Sequence, residues 1–354
     1  MRALVVEPGS PHSTRVDDVP DTRVREGEVP VRPLEIGVCG TDREISEGLF
    51  GIAPEGERTL VLGHESIGVV DRDGYGFTRG ELVTATVRRS CGHCVACEQR
   101  SPDACLSGDY RERGITRLHG FACELVSEDP SELISIPPSL GRTAVLAEPT
   151  SICARAVRHA ETIGGRQPWR LQRALVIGAG AIGVLSTMLL RLRGLEVWTA
   201  SLEPSTDSRA EIVRDLGARY LSTTEESLPG LRDEVGGFDL VVEAAGSAQL
   251  IADSLGLLRR SGIVCVLGID GHAHEVSLDG RVLGVDLILE NRVLFGSVNA
   301  RREDLVAAVD ALDTARRRWP EPLEALVGLR VPLERFAEAF DYRGVKATLV
   351  LSDL

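Results

Sequence analysis

Ala174-Leu-Val-Ile-Gly178-Ala-Gly180-Ala-Ile-Gly183 decides the fold of the second half of this chain. An apolar run enters three glycines spaced G-x-G-x-x-G, and an apolar helical pattern follows. The spacing alone is a weak match; the strand before it and the helix behind it give it meaning. Gly178 permits a tight turn, Gly180 lets the backbone approach a pyrophosphate, and Gly183 lets helix and strand pack closely. The helix N-terminus, with Ala179, Ala181 and Ile182 around the glycines, faces phosphate. The competing reading is a plain glycine-rich turn.

Working outward, residues 173–177, 196–200, 240–243, 263–267 and 293–296 read as strands, and 182–192 and 208–216 as helices. This β-α-β alternation predicts an α/β fold with a doubly wound parallel sheet covered by helices on both faces. Cofactor choice falls at the end of the second strand, on Ser201, Leu202 and Glu203. Glu203 lies about 20 residues beyond Gly183, the offset of a ribose-binding acid. Its carboxylate would accept from the ribose hydroxyls and repel a 2′-phosphate. No arginine precedes Arg209, so NAD is favoured over NADP. The alternative is that Glu203 is a solvated loop residue.

Residues 1–150 read differently. They are rich in Gly and Pro, with short apolar runs at 2–7, 34–38, 60–71 and 81–87, the pattern of an irregular β domain. A helix is expected at 151–159. Beyond Asn299 come a helix at 302–312, a linker at 316–322, a helix at 333–340 and a last strand at 347–351. The predicted organisation is a catalytic domain at 1–150, carrying a metal lobe at 88–108, a dinucleotide domain at 151–301 and a C-terminal return at 302–354.

A chain of 354 residues, 43% hydrophobic, suits two domains. Its formal net charge of −13 repels nucleic-acid phosphate and anionic lipid, so neither partner is expected. No run approaches the roughly 20 apolar residues that span a bilayer, and none reads as a signal peptide, so a cytoplasmic location is expected. Of 40 basic residues only Lys346 is a lysine.

Of eight cysteines, Cys91, Cys94, Cys97 and Cys105 cluster as C-x2-C-x2-C-x7-C. Four thiolates on one lobe close a tetrahedral zinc shell with no place for substrate, which is a structural site. Free thiols and an iron–sulfur cluster are the alternatives. A second donor set is dispersed: Cys39-Gly-Thr41-Asp42, Gly63-His64-Glu65 and Glu148-Pro149. Thiolate, imidazole and carboxylate together make an open zinc site. With a dinucleotide, such a site polarises an alcohol that expels hydride to the nicotinamide.

These pieces resemble the zinc-containing medium-chain dehydrogenases over essentially the whole chain. Within them the sequence is most similar to archaeal-type glucose dehydrogenases, through Cys39-Gly-Thr-Asp-Arg-Glu44, Leu62-Gly-His-Glu65, the four-cysteine lobe, Gly108-Asp109 through Gly114-Ile115, Leu118-His-Gly-Phe121, Glu148-Pro149 and Gly296-Ser-Val-Asn299. The resemblance implies a GroES-like catalytic domain and a Rossmann domain. It places Cys39, His64 and Glu148 on a catalytic zinc, with Glu65 beside it or exchanging onto it. Thr41 would relay the substrate proton. Glu112, Glu148 and Asn299 would touch sugar hydroxyls. Leu267, Gly268, Ile269, Ser297 and Val298 would line the nicotinamide, and Lys346 would lie near the cofactor phosphates. Two departures stand out. NADP-preferring relatives carry arginines where this chain has Leu202 and Glu203, and some carry a sugar-binding Asp where it has Ile152.

The resulting expectation is an oxidoreductase transferring hydride from a hydroxyl of a sugar, polyol or cyclitol to a nicotinamide, glucose dehydrogenase-like, with one catalytic and one structural Zn2+ and a homodimeric or homotetrameric assembly. A simple alcohol dehydrogenase of the same superfamily and a non-catalytic, zinc-stabilised redox sensor are the competing readings.

Overall fold

A computed structural model describes residues 1–271 and 275–352. The chain forms two compact units. The first comprises residues 1–151, 299–317 and 327–354, the second 152–298 and 318–326.

The second unit holds a six-stranded parallel sheet in the order Arg219–Ser222, Glu196–Ser201, Arg173–Ile177, Phe238–Glu243, Leu258–Val266, Val293–Gly296. The order reverses between Arg173–Ile177 and Phe238–Glu243, the arrangement of a doubly wound sheet. Leu175, Ile177, Val241 and Val264 are fully buried on it. The strand Arg219–Ser222 escapes the sequence reading because it is short and only partly apolar.

The first unit is built on a largely antiparallel sheet. In it Val29–Val38 lies between Glu65–Val70 and Lys346–Val350. Its core gathers Leu4, Ile36, Leu62, Val83, Phe121 and Leu349. The expected strand at 60–71 is two strands, Leu60–Val61 and Glu65–Val70. The chain breaks at Gly63, whose φ of +89° suits glycine, and a Cβ there would lie 2.8 Å from Ile36. The break presents His64 and Glu65 at the mouth of the sheet.

The expected linker at 316–322 is not a linker. The helix Arg302–Arg318 runs through its start, and Pro320–Ala325 forms another helix. Nor do residues 302–354 return to the first unit as one piece. Residues 318–326 belong to the second unit, where Pro320–Ala325 packs on Ser208–Asp215. The cause is apolar burial: Leu323 and Leu326 are 0% and 1% exposed. Among the described residues no helix is long and apolar enough to cross a membrane.

Leu323→Ala should therefore destabilise the protein by about 2–5 kcal/mol in urea denaturation. A cost near zero is what a linker position would give.

Candidate functional site

Cys39 follows directly on the strand Val29–Val38 and caps the helix Gly40–Ser46. Its backbone N–H donates to Asp42 Oδ2 at 2.9 Å. Its sulfur lies 3.2 Å from His64 Nε2. The other imidazole nitrogen, Nδ1, faces Asp42 Oδ1 at 3.5 Å. Asp42 thus holds the turn and orients the ring, as an outer carboxylate does for a metal-binding histidine. Ligand atoms of Cys39, His64 and Glu65 lie within 4.8 Å of one another.

Glu65 sits opposite Gly37 across two strands, and a Cβ on Gly37 would come within 2.0 Å of its Oε2. Both Glu65 oxygens accept from Lys346 Nζ, at 2.8 and 2.7 Å. Glu148, in the first turn of the helix Ala147–Gly164, does not join the close cluster. Burial pushes its carboxyl up to about 7, with Glu65 and Asp42 adding to the rise against His64 and Lys346. Burial also pushes the Cys39 thiol up, against the pull of His64. For His64 burial opposes the charged ring, but Cys39 and Asp42 outweigh it and hold the imidazole well above its ordinary range. This pocket therefore concentrates anionic donors around an imidazole and one ammonium. A soft sulfur, an imidazole nitrogen and carboxylate oxygen suit a zinc ion.

The four-cysteine lobe also gathers as a donor set. The sulfurs of Cys91, Cys94, Cys97 and Cys105 lie within 4.8 Å of one another. The Ser107 hydroxyl and the His93 backbone bring the Cys91 thiol down to about 5, while burial takes Cys97 up to about 11. Four sulfurs gathered this closely fit a structural zinc.

Beyond the metal ligands, Asn299 Nδ2 donates to Glu112 Oε1 at 2.7 Å, and Asn299 Oδ1 accepts from the Ala300 N–H at 2.8 Å. Asn299 also lines a small cavity with Glu148, Ser151, Thr86 and Val87. Three residues far apart in sequence are thereby brought together on the first unit. Thr41 is half-buried in the first turn of the helix that Cys39 caps.

On the second unit the remaining predicted residues gather at the carboxyl ends of the parallel strands. Gly178 has φ +105°, and a Cβ there would meet the Ala244–Ala245 backbone at 3.0 Å. A Cβ on Gly183 would overlap the Gly178 carbonyl at 1.9 Å, whereas Gly180 faces open space. Leu202, Ile269 and Val298 stand exposed along this rim, and Gly268 and Ser297 continue the same loops. Glu203 is not free. Its Oε1 pairs with Arg209 at 2.6 Å, and Oε2 accepts from the Ser201 hydroxyl. Arg209 also grips Asp207 through Nε at 2.9 Å and Nη2 at 3.2 Å.

Residues 25–138 match the alcohol dehydrogenase GroES-like domain, and residues 141–351 match the glucose dehydrogenase C-terminus. The chain is 41% identical to a glucose 1-dehydrogenase of Methanocella arvoryzae, covering 96% of this chain and 95% of that one. It is 38% identical to glucose 1-dehydrogenase 1 of Caldivirga maquilingensis over the full length of both. The Haloferax mediterranei glucose dehydrogenase, solved with NADP, zinc and gluconolactone, superposes with a TM-score of 0.91 at 30% identity, covering all of both chains. This chain belongs to the glucose dehydrogenase family of zinc-containing medium-chain dehydrogenases. Membership makes it a nicotinamide-dependent oxidoreductase of CH–OH groups.

Two placements bear on the sequence reading. Lys346, expected beside the cofactor phosphates, has its ammonium committed to Glu65 and the Val38 carbonyl inside the first unit. Glu65, which the sequence reading set beside the zinc or exchanging onto it, groups with Cys39 and His64 within 4.8 Å, and Glu148 does not. Three residues have roles that the sequence does not announce. Asp42 sits within the Cys39 motif, and its offset of about one helical turn from Cys39 is the available signal. Arg209 lies beyond the end of the second strand, in the helix that follows it. Glu243, at the end of the strand Phe238–Glu243, is fully buried and accepts from the Ala245 and Gly246 N–H groups. It shapes the turn against which Gly178 packs, and nothing in the local sequence marks it.

The glycines separate folding from binding. Gly183→Ala should cost about 1–3 kcal/mol of stability from the overlap with Gly178. Gly180→Ala should leave stability within about 1 kcal/mol and weaken dinucleotide binding. Denaturation and cofactor fluorescence titration on both variants check the split.

Proposed function

We propose that this chain oxidises a hydroxyl of a polyhydroxylated substrate, glucose or a close relative, with zinc at the Cys39–His64 cluster and NAD as acceptor. The observation that carries the substrate class is the Asn299–Glu112 hydrogen bond at 2.7 Å, beside the cavity that Asn299 shares with Glu148. Two carboxylates and a carboxamide suit vicinal hydroxyls, because charged acceptors make the stronger bonds to O–H donors. An apolar channel for simple alcohols would not carry them.

When bound, zinc supplies Lewis acidity toward the hydroxyl and the nicotinamide accepts the hydride. Cys39 and His64 hold the ion, Asp42 orients His64, and Glu65 and Glu148 are the carboxylates that complete or exchange on the shell. Lys346 holds Glu65 in place through both carboxylate oxygens. Thr41 takes the hydroxyl proton toward solvent. Glu112, Glu148 and Asn299 fix the neighbouring hydroxyls. The cysteine lobe holds a second zinc that stabilises the fold. On the second unit the open side of Gly180 admits the pyrophosphate. Leu267, Gly268, Ile269, Ser297 and Val298 line the nicotinamide. Glu203 receives the ribose hydroxyls.

The preference for NAD rests on charge. Arg209 is shared by Glu203 and Asp207, so two carboxylates surround one guanidinium, and a 2′-phosphate meets a net negative site. The Haloferax relative was solved with NADP.

Elemental analysis should find two zinc ions per chain, and Cys97→Ser should retain one. His64→Ala should lose turnover with NAD affinity unchanged. Glucose and related aldoses should exceed ethanol-sized alcohols in kcat/KM; the reverse order would remove the substrate assignment.

Glu203→Ala should weaken NAD binding by about 1.5–3 kcal/mol and narrow the gap to NADP. A wild-type kcat/KM that is higher with NADP would refute the cofactor choice.

A further inference from the structure

The strand Arg88–Arg89 enters the four-cysteine lobe and Arg111–Arg113 leaves it. The two pair antiparallel with Arg88 opposite Glu112, so both side chains lie on one face of the ribbon. Arg88 is buried, at 8% exposure, and all its recorded partners lie in the lobe or at its mouth. Its Nε donates to Glu112 Oε1 at 2.9 Å, and its Nη1 donates to the Asp103 carbonyl at 3.0 Å. Its guanidinium stacks on the Tyr110 ring, 3.9 Å from the centroid. Asp103 lies in the turn Pro102–Ala104, between Cys97 and Cys105.

We infer that Arg88 is a positioning residue that sets the Glu112 carboxylate for the substrate and takes its own position from the four-cysteine lobe. The inference rests on the assignment of Glu112 to the sugar. Both Arg88 and Asn299 donate to Oε1 of Glu112. Oε2 receives neither and is the oxygen left for a substrate hydroxyl. A carboxylate buried to 6% exposure needs a charged, hydrogen-bonding partner to offset its desolvation and fix its position. Arg88 is that partner. Guanidinium planarity matters here, because one rigid fork must reach Glu112 and Asp103 while its face lies on Tyr110. A lysine could supply the charge but not the three simultaneous contacts. The lobe is then more than a structural staple: whatever moves Asp103 or Tyr110 moves the anchor of a substrate carboxylate, without touching the catalytic metal ligands.

The test compares Arg88→Met, Arg88→Lys, Tyr110→Leu, Glu112→Gln and the Arg88→Met/Glu112→Gln double variant, as full-length zinc-loaded enzyme. The readouts are glucose KM, kcat, NAD Kd and zinc per chain. Arg88→Met should raise glucose KM about tenfold or more, with kcat, NAD Kd and zinc content close to wild type. Arg88→Lys should recover only part of the loss, and Tyr110→Leu should move KM in the same direction by less. The double variant should be no worse in KM than Glu112→Gln alone, because the two residues act as one unit. Glu112→Gln with raised KM beside Arg88→Met with wild-type KM overturns the role of Arg88 alone. Glu112→Gln with unchanged KM overturns the substrate role of Glu112 and the inference with it. If Arg88→Met does not fold, Arg88→Lys and Tyr110→Leu decide: wild-type glucose KM in both rejects the inference.

Discussion

The buried ion pair between Lys346 and Glu65 is the constraint on which the Cys39–His64–Glu65 donor cluster depends. Both side chains are nearly inaccessible, and the ammonium reaches both carboxylate oxygens. Burying either charge alone would cost several kcal/mol. The pair is possible only because three strands lie side by side: Val29–Val38, Glu65–Val70 and Lys346–Val350. Gly37 leaves the room for Glu65 that no larger residue would. Cys39 leaves the end of the first strand, His64 and Glu65 enter the second, and Lys346 opens the third. The contact joins residues 281 positions apart, so the donor cluster is complete only once the last strand has been added to the sheet.

Buried charge is handled in two ways within the first unit. Around Arg88–Glu112 and Arg113–Glu128 each carboxylate meets a guanidinium at 2.9 Å, and the fold satisfies itself. Around His64 it does not. Cys39, Asp42 and Glu65 gather about one imidazole and one lysine, with Glu148 adding its charge nearby, and His64 Nδ1 faces only Asp42 Oδ1, at 3.5 Å. Burial pushes the Cys39 thiol and the Glu148 carboxyl up, so holding these donors ionised in the interior is costly unless a cation shares them. The contrast argues for a divalent ion there more strongly than the donor types alone.

Much of this was legible because the signals were local. The glycine spacing, the cysteine spacing and the strand alternation each need only a short window, and the strands Arg173–Ile177 and Val293–Gly296 have the bounds read from sequence. What was not legible depends on distant chain segments. The strand Val327–Pro332 is masked by its Gly, Arg and Pro and exists because Lys346–Val350 pairs with it. Pro320–Ala325 looks like a linker because it carries two prolines and two glutamates. Its few apolar side chains, Leu323 above all, are enough to seat it on the second unit. The commitment of Lys346 to Glu65 has no local signature at all, since the partner lies in another strand of the sheet.

The same limit reshapes the reasoning about the ribose site. Reading along the chain, the lack of an arginine between Ser201 and Ser208 excludes a phosphate-binding cation. In three dimensions the helix Ser208–Asp215 begins close enough for Arg209 to fold back onto Glu203, so absence in sequence is not absence in space. The discrimination must then come from the balance of charge. Arg209 donates to Asp207 through two nitrogens and to Glu203 through a third, so its fork is occupied before a ligand arrives. A 2′-phosphate would have to draw the guanidinium away from two carboxylates, whereas a ribose hydroxyl needs only a remaining lone pair on Glu203. The guanidinium that could have served a phosphate instead braces Glu203, the acid we propose for the diol.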